Sequence, residues 1–164
     1  MVSRMHIWRL DKWKTVLPEN LNRRTGIRFR LDKSIDIEVK QAIIRFAKWL
    51  RSEYYFPLRV NVYVKNTKTL RSKDGEKVVG VFFEPFSYLE EPYIKIAVGD
   101  YTELKIQDGR DNALASLLLS VSHETTHYFQ WINNIKLTPK GLERQATNYS
   151  NYIVDEYSTT CTHP

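Results

Sequence analysis

Residues 117–134, LLLSVSHETTHYFQWINN, lie within one long helical pattern whose two faces differ in chemistry. Successive residues of an α-helix are rotated by about 100°, so positions three and four apart share a face. The face opposite His123 is the predicted core stripe, made of Leu114, Leu118, Val121, Thr125, Tyr128 and Ile132. The histidine face is almost entirely polar and comprises Ser116, Leu119, Ser120, His127, Gln130 and Asn134. The pattern therefore predicts a helix that packs along one side and meets water along the other.

The polar face admits two interpretations, an ordinary solvent-exposed surface or the wall of a wet cleft. Exposed faces usually carry Lys and Glu, whereas this one offers short hydroxyls and two imidazoles, His123 and His127. Because residues four apart lie one above the other, both rings can converge on one metal ion. Glu124 is rotated by about 100° from His123, too far to be a third ligand but near enough to reach a water on the ion. The spacing favours a cleft with His123 and His127 as zinc ligands and Glu124 as general base.

A third protein ligand is expected downstream, because catalytic zinc sites typically combine three protein ligands with one open position. Glu143 lies early on a second predicted helix, after a turn at 139–141. Its helical face continues through residues that are mostly small and would let the two helices approach closely: Ala146, Thr147, Ser150, Ile153 and Val154. Asp155 and Glu156 are competing carboxylates three turns further along, and His163 is an outside candidate. Glu143 is the predicted third ligand.

Upstream of this region, strand and helix patterns alternate. Apolar residues at every second position predict strands in three segments, GIRFRLDK, LRVNVYVK and YIKIAVGD. Helical spacing across 36–55 predicts a helix, with Ser34 as its N-cap. The pair Asp74-Gly75 predicts the turn of a hairpin. The order of strand, helix, three or four strands and two helices predicts an α+β fold with a small mixed or antiparallel sheet.

Composition and length bound the class of protein. The chain has 164 residues, 42% apolar and 27% charged, which suits a single domain over 1–164 with a sizeable core. Residues 1–30 contain no apolar segment typical of a signal peptide, and no window is long enough for a membrane span. The only cysteine, Cys161, excludes an internal disulfide framework and suits a reducing compartment. We expect a cytoplasmic monomer without a membrane partner.

The net charge of +6 is concentrated in residues 1–33. This basic N-terminal segment has nine basic and three acidic side chains, so it accounts for the whole excess, while the remaining charges cancel. Such a segment can attract nucleic acid, an anionic surface or an acidic protein. A solubilising surface with no specific partner is the favoured interpretation, because no recognisable nucleic-acid-binding motif accompanies the segment.

The motif HETTHYFQW followed by LERQATNY resembles the gluzincin branch of the zincin metallopeptidases. The likeness is specific over residues 113–157, and the short chain is most similar to the minigluzincins. It implies a minimal zincin-like α+β domain that hydrolyses peptide bonds in peptide or protein substrates. It also implies that His123, His127 and Glu143 bind zinc and that Glu124 is the general base and acid. In contrast to thermolysin-like members, Thr147 replaces the aspartate that supports a metal-binding histidine, so a backbone carbonyl or Asn148 would have to do so.

The resemblance also implies where a substrate lies. The strand YIKIAVGD would be the edge strand that lines the cleft, so Ile96, Ala97 and Val98 would pair with an extended peptide. Small gluzincins can be latent when a terminal segment folds over the cleft, and the C-terminal tail 158–164, with Cys161 and His163, is the candidate here.

Two functions of other kinds stay open. One is a catalytically weak or inactive zincin scaffold that uses residues 1–33 to bind an acidic partner or nucleic acid. The other is a zinc hydrolase that shares the site but cleaves a non-peptide amide.

Overall fold

The computed structural model describes residues 6–19 and 22–164. Within these ranges the helices are a 3₁₀ turn Ile7–Arg9, α1 Trp13–Val16, α2 Ile37–Glu53, α3 Tyr101–Asp108, α4 Arg110–Ile132 and α5 Pro139–Ser158. The strands are β1 Ile27–Leu31, β2 Val60–Lys65, β3 Leu70–Arg71, β4 Lys77–Val78, β5 Gly80–Phe83 and β6 Tyr93–Ala97. The α+β class predicted from the sequence is confirmed.

Four strands form a mixed sheet in the order β1-β2-β6-β5. β1, β2 and β6 are parallel, and β5 is antiparallel to β6. A separate antiparallel pair joins β3 to β4. Their turn contains Gly75, whose φ of 80° is a left-handed conformation that favours glycine. The predicted hairpin at Asp74-Gly75 is therefore confirmed.

The prediction that YIKIAVGD forms the edge strand is wrong. β6 lies between β2 and β5, and β5 is the edge strand nearest to α4. Ile96, Ala97 and Val98 are buried, and their backbone groups are used within the protein: Ala97 N–H donates to Val79 at 2.8 Å and Val98 N–H to Lys65 at 2.9 Å. The edge of this sheet that lies beside α4 is β5 instead.

The core lies between the inner face of the sheet and the helices. Alternate residues of the central strands, such as Val62 and Ile94, are fully buried there. All six residues of the predicted core stripe of α4 are also at most 1% exposed, which confirms that face. The N-terminal 3₁₀ turn is tied to the same helix, because the Trp8 indole stacks on Phe129 and donates from Nε1 to Thr126 Oγ1 at 3.0 Å.

Several helix boundaries differ from expectation. Asp36, and not Ser34, caps α2, and its carboxylate accepts from Glu38 N–H at 2.8 Å. Pro139 is already the first residue of α5, which is capped by Thr138. The α3 helix was not predicted because only one of its residues, Tyr101, is buried, so it carries little apolar periodicity. In the described part of the chain, none of the helices is both long and apolar enough to cross a membrane.

Candidate metal centre

The three predicted ligands meet at one point between α4 and α5. His123 Nε2 lies 3.0 Å from one carboxylate oxygen of Glu143, and His127 Nε2 lies 3.0 Å from the other. All three ligand atoms are within 4.8 Å of one another, so the cluster could hold a metal ion. Two imidazole nitrogens and a carboxylate oxygen form a donor set that zinc accepts, although other transition metals accept it too.

The surroundings of His123 favour the protonation state that binds metals. Burial lowers the pKa of this imidazole, and so does the neighbouring His127 ring, while the Glu143 carboxylate acts in the opposite direction. The neutral imidazole is the form that ligates a cation. Helix α4 thus presents the His123 ring to the cluster with its Nε2 directed at Glu143.

Gln130 orients the second histidine, a role that the sequence-based interpretation missed. Its Oε1 lies 2.7 Å from His127 Nδ1, and its Nε2 donates to the Leu142 carbonyl and to Gln145 Oε1, both at 2.9 Å. If Nδ1 carries the proton, Nε2 of the same ring is left to face Glu143. Gln130 thus takes the place expected for a backbone carbonyl or Asn148. The signal was available, because Gln130 follows His127 by three residues on the same helical face.

Glu124 is buried beside the cluster at 8% exposure. Burial raises the pKa of its carboxyl group to about 8, and the negative charge of Glu143 acts in the same direction, whereas the main chain of Phe82 opposes it. A cation at the ligand cluster would lower this pKa, because it favours the charged carboxylate.

Gly80, at the start of β5, makes room for Glu124. A Cβ atom at this glycine would lie 3.0 Å from Glu124 Cγ, 3.1 Å from its Oε1 and 3.2 Å from Ile96 Cδ1. Any side chain here would therefore press on the carboxyl group. A glycine inside a strand can mark such a close approach, but the sequence alone does not say to what.

These residues open into a cleft of about 1290 Å³. The β3–β4 hairpin and β5 form one wall, α4 the floor and α5 the other wall. All six residues of the predicted polar face of α4 line it, so that face borders a cleft and not an open surface. Trp131 also lines it, packed on Tyr88 at 4.6 Å between ring centroids, while the Tyr88 hydroxyl donates to its carbonyl at 2.9 Å.

The other candidate ligands lie away from the cluster. His163 Nδ1 is 2.7 Å from Asp111, which precedes His123 by twelve residues of α4, or about 18 Å along the helix. Glu156 accepts from the Tyr54 hydroxyl at 3.1 Å. The tail 158–164 is attached to α2, where Arg45 donates to the Pro164 carbonyl at 2.7 Å. These contacts contradict the expectation that the tail covers the cleft.

Three basic side chains of the N-terminal segment 1–33 that the structure describes are paired with carboxylates. In the described part of the chain, Arg9 pairs with Glu53 at 3.9 Å, Lys14 with Asp11 at 3.6 Å, and Arg24 with Glu91. Arg4 lies outside the described residues. Part of the segment's positive charge is therefore neutralised within the protein.

No protein-family model matches the chain, and no curated protein or solved structure is significantly similar to it. Function is therefore inferred from the side chains of the cleft and of the surface.

Proposed function

We propose that the protein is a zinc-dependent peptidase of gluzincin type. The observation that carries this proposal is the convergence of His123, His127 and Glu143, within 4.8 Å, beside the buried Glu124. Metal-binding side chains alone would be compatible with a structural site. A buried carboxyl group that is adjacent to the ligands but not one of them is the additional feature that hydrolysis needs.

The chemistry divides between the cation and the chain. Zinc, when bound, would supply a Lewis acid that activates water and polarises the scissile carbonyl. Glu124 would accept the proton of the attacking water on a carboxylate oxygen and deliver it to the leaving amine. Gln130 would hold the His127 ring in its ligating orientation, and the burial of Glu124 would keep competing water from its carboxyl group.

The cleft favours a polypeptide over a small amide as substrate. Small-molecule sites typically enclose about 300 to 1,000 Å³, and this cleft is larger and open along β5. An extended peptide could add to the free edge of β5 through backbone hydrogen bonds, which would place its peptide bonds beside Glu124 and Gly80. Phe82 and Trp131, whose ring centroids are 6.2 Å apart, would offer an apolar wall for a substrate side chain.

The first experiment combines metal analysis with peptide cleavage. Protein prepared without an affinity tag or chelator should contain about one zinc per chain by elemental analysis and should cleave members of a quenched-fluorescent peptide library. Glu124→Gln should keep the zinc and lose cleavage, whereas His123→Ala should lose both. Asn112→Ala, at an exposed position of α4 outside the cleft, is the control and should change neither. Cleavage by Glu124→Gln at the wild-type rate would refute the mechanism.

A further inference from the structure

The outer face of the four-stranded sheet is a second surface with a distinct chemistry. Side chains alternate along each strand, so Val62 and Ile94 point into the core while Tyr63 and Lys95 lie on the opposite face. Tyr63 and Lys95 are partly exposed, and Arg28 and Arg30 of β1 are exposed. This outer face is directed away from α4, and therefore away from the candidate metal centre.

Strand register arranges the outer face in two rows that cross all four strands. One row is Arg28, Asn61, Tyr93 and Phe83, and the next is Arg30, Tyr63, Lys95 and Val81. Neighbouring strands lie about 4.8 Å apart, and rows two residues apart are separated by about 6.8 Å. One row therefore places Tyr63 between the cations Arg30 and Lys95, and the other brings Arg28 and Asn61 into line with the adjacent rings of Tyr93 and Phe83.

The aromatic rings form a continuous group. Tyr93 stacks on Phe83 with centroids 4.6 Å apart and planes inclined by 8°, and its other neighbour is Tyr63 at 5.9 Å in an edge contact. Lys95 Nζ lies 5.8 Å from the centre of the Tyr93 ring, and Lys65 Nζ lies at the same distance from Tyr63. Each of these tyrosines therefore has a positive charge at its ring.

The charged side chains of the two rows, Arg28, Arg30 and Lys95, are all positive, while the carboxylates Glu84, Glu90 and Glu91 line a pocket at the Phe83–Tyr93 end of the face. In the chain over residues 6–19 and 22–164, neither Arg28, Arg30 nor Lys95 belongs to an ion pair, and only Lys65 has an acidic partner, Asp32 at 3.6 Å. In contrast, Arg9 and Arg24, from the same basic segment as Arg28 and Arg30, are paired with carboxylates elsewhere.

We propose that the outer face of the sheet binds single-stranded nucleic acid. Its bases would stack on Tyr63, Tyr93 and Phe83, and its phosphates would contact Arg28, Arg30 and Lys95. Proteins that bind single strands combine these two elements, a cationic track and aromatic platforms, and the stacking tolerates any base sequence. A duplex would leave the rings unused because its bases are already stacked, and an acidic peptide would use the cations alone. This binding does not depend on the proposed peptidase activity.

The test is fluorescence anisotropy with a labelled oligothymidylate of about 15 nucleotides, titrated between about 50 and 200 mM NaCl. The double variant Arg28→Ala/Arg30→Ala lacks two cationic side chains that would contact phosphates. It should bind more weakly, and the slope of log K against log salt should be smaller in magnitude by about 1.4. Tyr63→Leu keeps a bulky apolar side chain but removes the ring, and should weaken binding by about fivefold or more with an unchanged salt slope.

Two controls decide the outcome. Lys48→Ala/Lys140→Ala removes the same charge from exposed positions on α2 and α5 and should leave the affinity within about twofold of wild type. The circular-dichroism melting curve of each variant establishes that it is folded. No binding at the lowest salt would overturn the proposal. An equal loss of affinity in Arg28→Ala/Arg30→Ala and Lys48→Ala/Lys140→Ala would overturn it too. The same holds for wild-type affinity in folded Tyr63→Leu, or for equal affinity of the wild-type protein for a double-stranded oligonucleotide.

Discussion

The single hydrogen bond between Trp8 and Thr126 gives a test of the fold that is independent of function. It joins residues 118 positions apart, and both side chains are at most 2% exposed. In Thr126→Val the indole N–H loses its acceptor while side-chain volume is kept. A buried donor without a partner costs about 1 to 3 kcal/mol. The free energy of unfolding should fall by this amount.

Thr125 provides a matched control at the next position of α4. Both threonines are completely buried, and both hydroxyls donate to the carbonyl four residues earlier, but Thr126 is the one that accepts from Trp8. Thr125→Val should therefore lack the penalty of an unsatisfied indole. Urea unfolding followed by circular dichroism measures the free energy of unfolding of both variants. In thermal melts, the melting temperature of Thr126→Val should be about 2 to 12 °C below that of Thr125→Val. Equal stability of the two variants would refute the contribution assigned to this contact.

Three further predictions concern the site and the N-terminal turn. Gln130→Leu should weaken zinc binding by about 10- to 100-fold in a chelator competition, because the His127 ring loses its orienting partner. Gln145→Ala, which leaves the contact between Gln130 and His127 intact, should have a much smaller effect. Wild-type zinc affinity in Gln130→Leu would contradict the orienting role of Gln130. Gly80→Ala should lower kcat for a peptide substrate by up to about 100-fold with zinc content retained, since its Cβ would displace Glu124. Phe83→Ala, on the other face of β5 and outside the cleft, is the control, and unchanged kcat in Gly80→Ala would count against the packing. The pKa of His6 is lowered to about 4, chiefly by burial and also by Arg9. As pH falls, the unfolded chain therefore binds a proton before the folded protein does, and stability should be lost from about pH 6.5 towards pH 4. In thermal melts His6→Asn, which can also cap the following turn, should lose less stability than wild type between pH 7 and 5, and equal losses would exclude His6 as the titrating group.

The two faces of α4 followed from the sequence because helix geometry is local. Once the residues are helical, the rotation of about 100° per residue determines that His123 and His127 share a side. The α+β class followed in the same way, from apolar periods of two and of 3.6 residues.

What only the tertiary structure decided is which segments become neighbours. Strand order depends on pairing between distant segments, so the resemblance that made β6 the edge strand could not reveal that β5, Gly80–Phe83, pairs outside it. The support of His127 by Gln130 depends on α5, which anchors the Gln130 amide through Leu142 and Gln145. The room that Gly80 leaves for Glu124, and the joining of Tyr63, Tyr93 and Phe83 into one surface, likewise arise from packing and register. Local periodicity determines the face on which a residue lies, but the long-range contacts that folding creates determine what lies opposite that face.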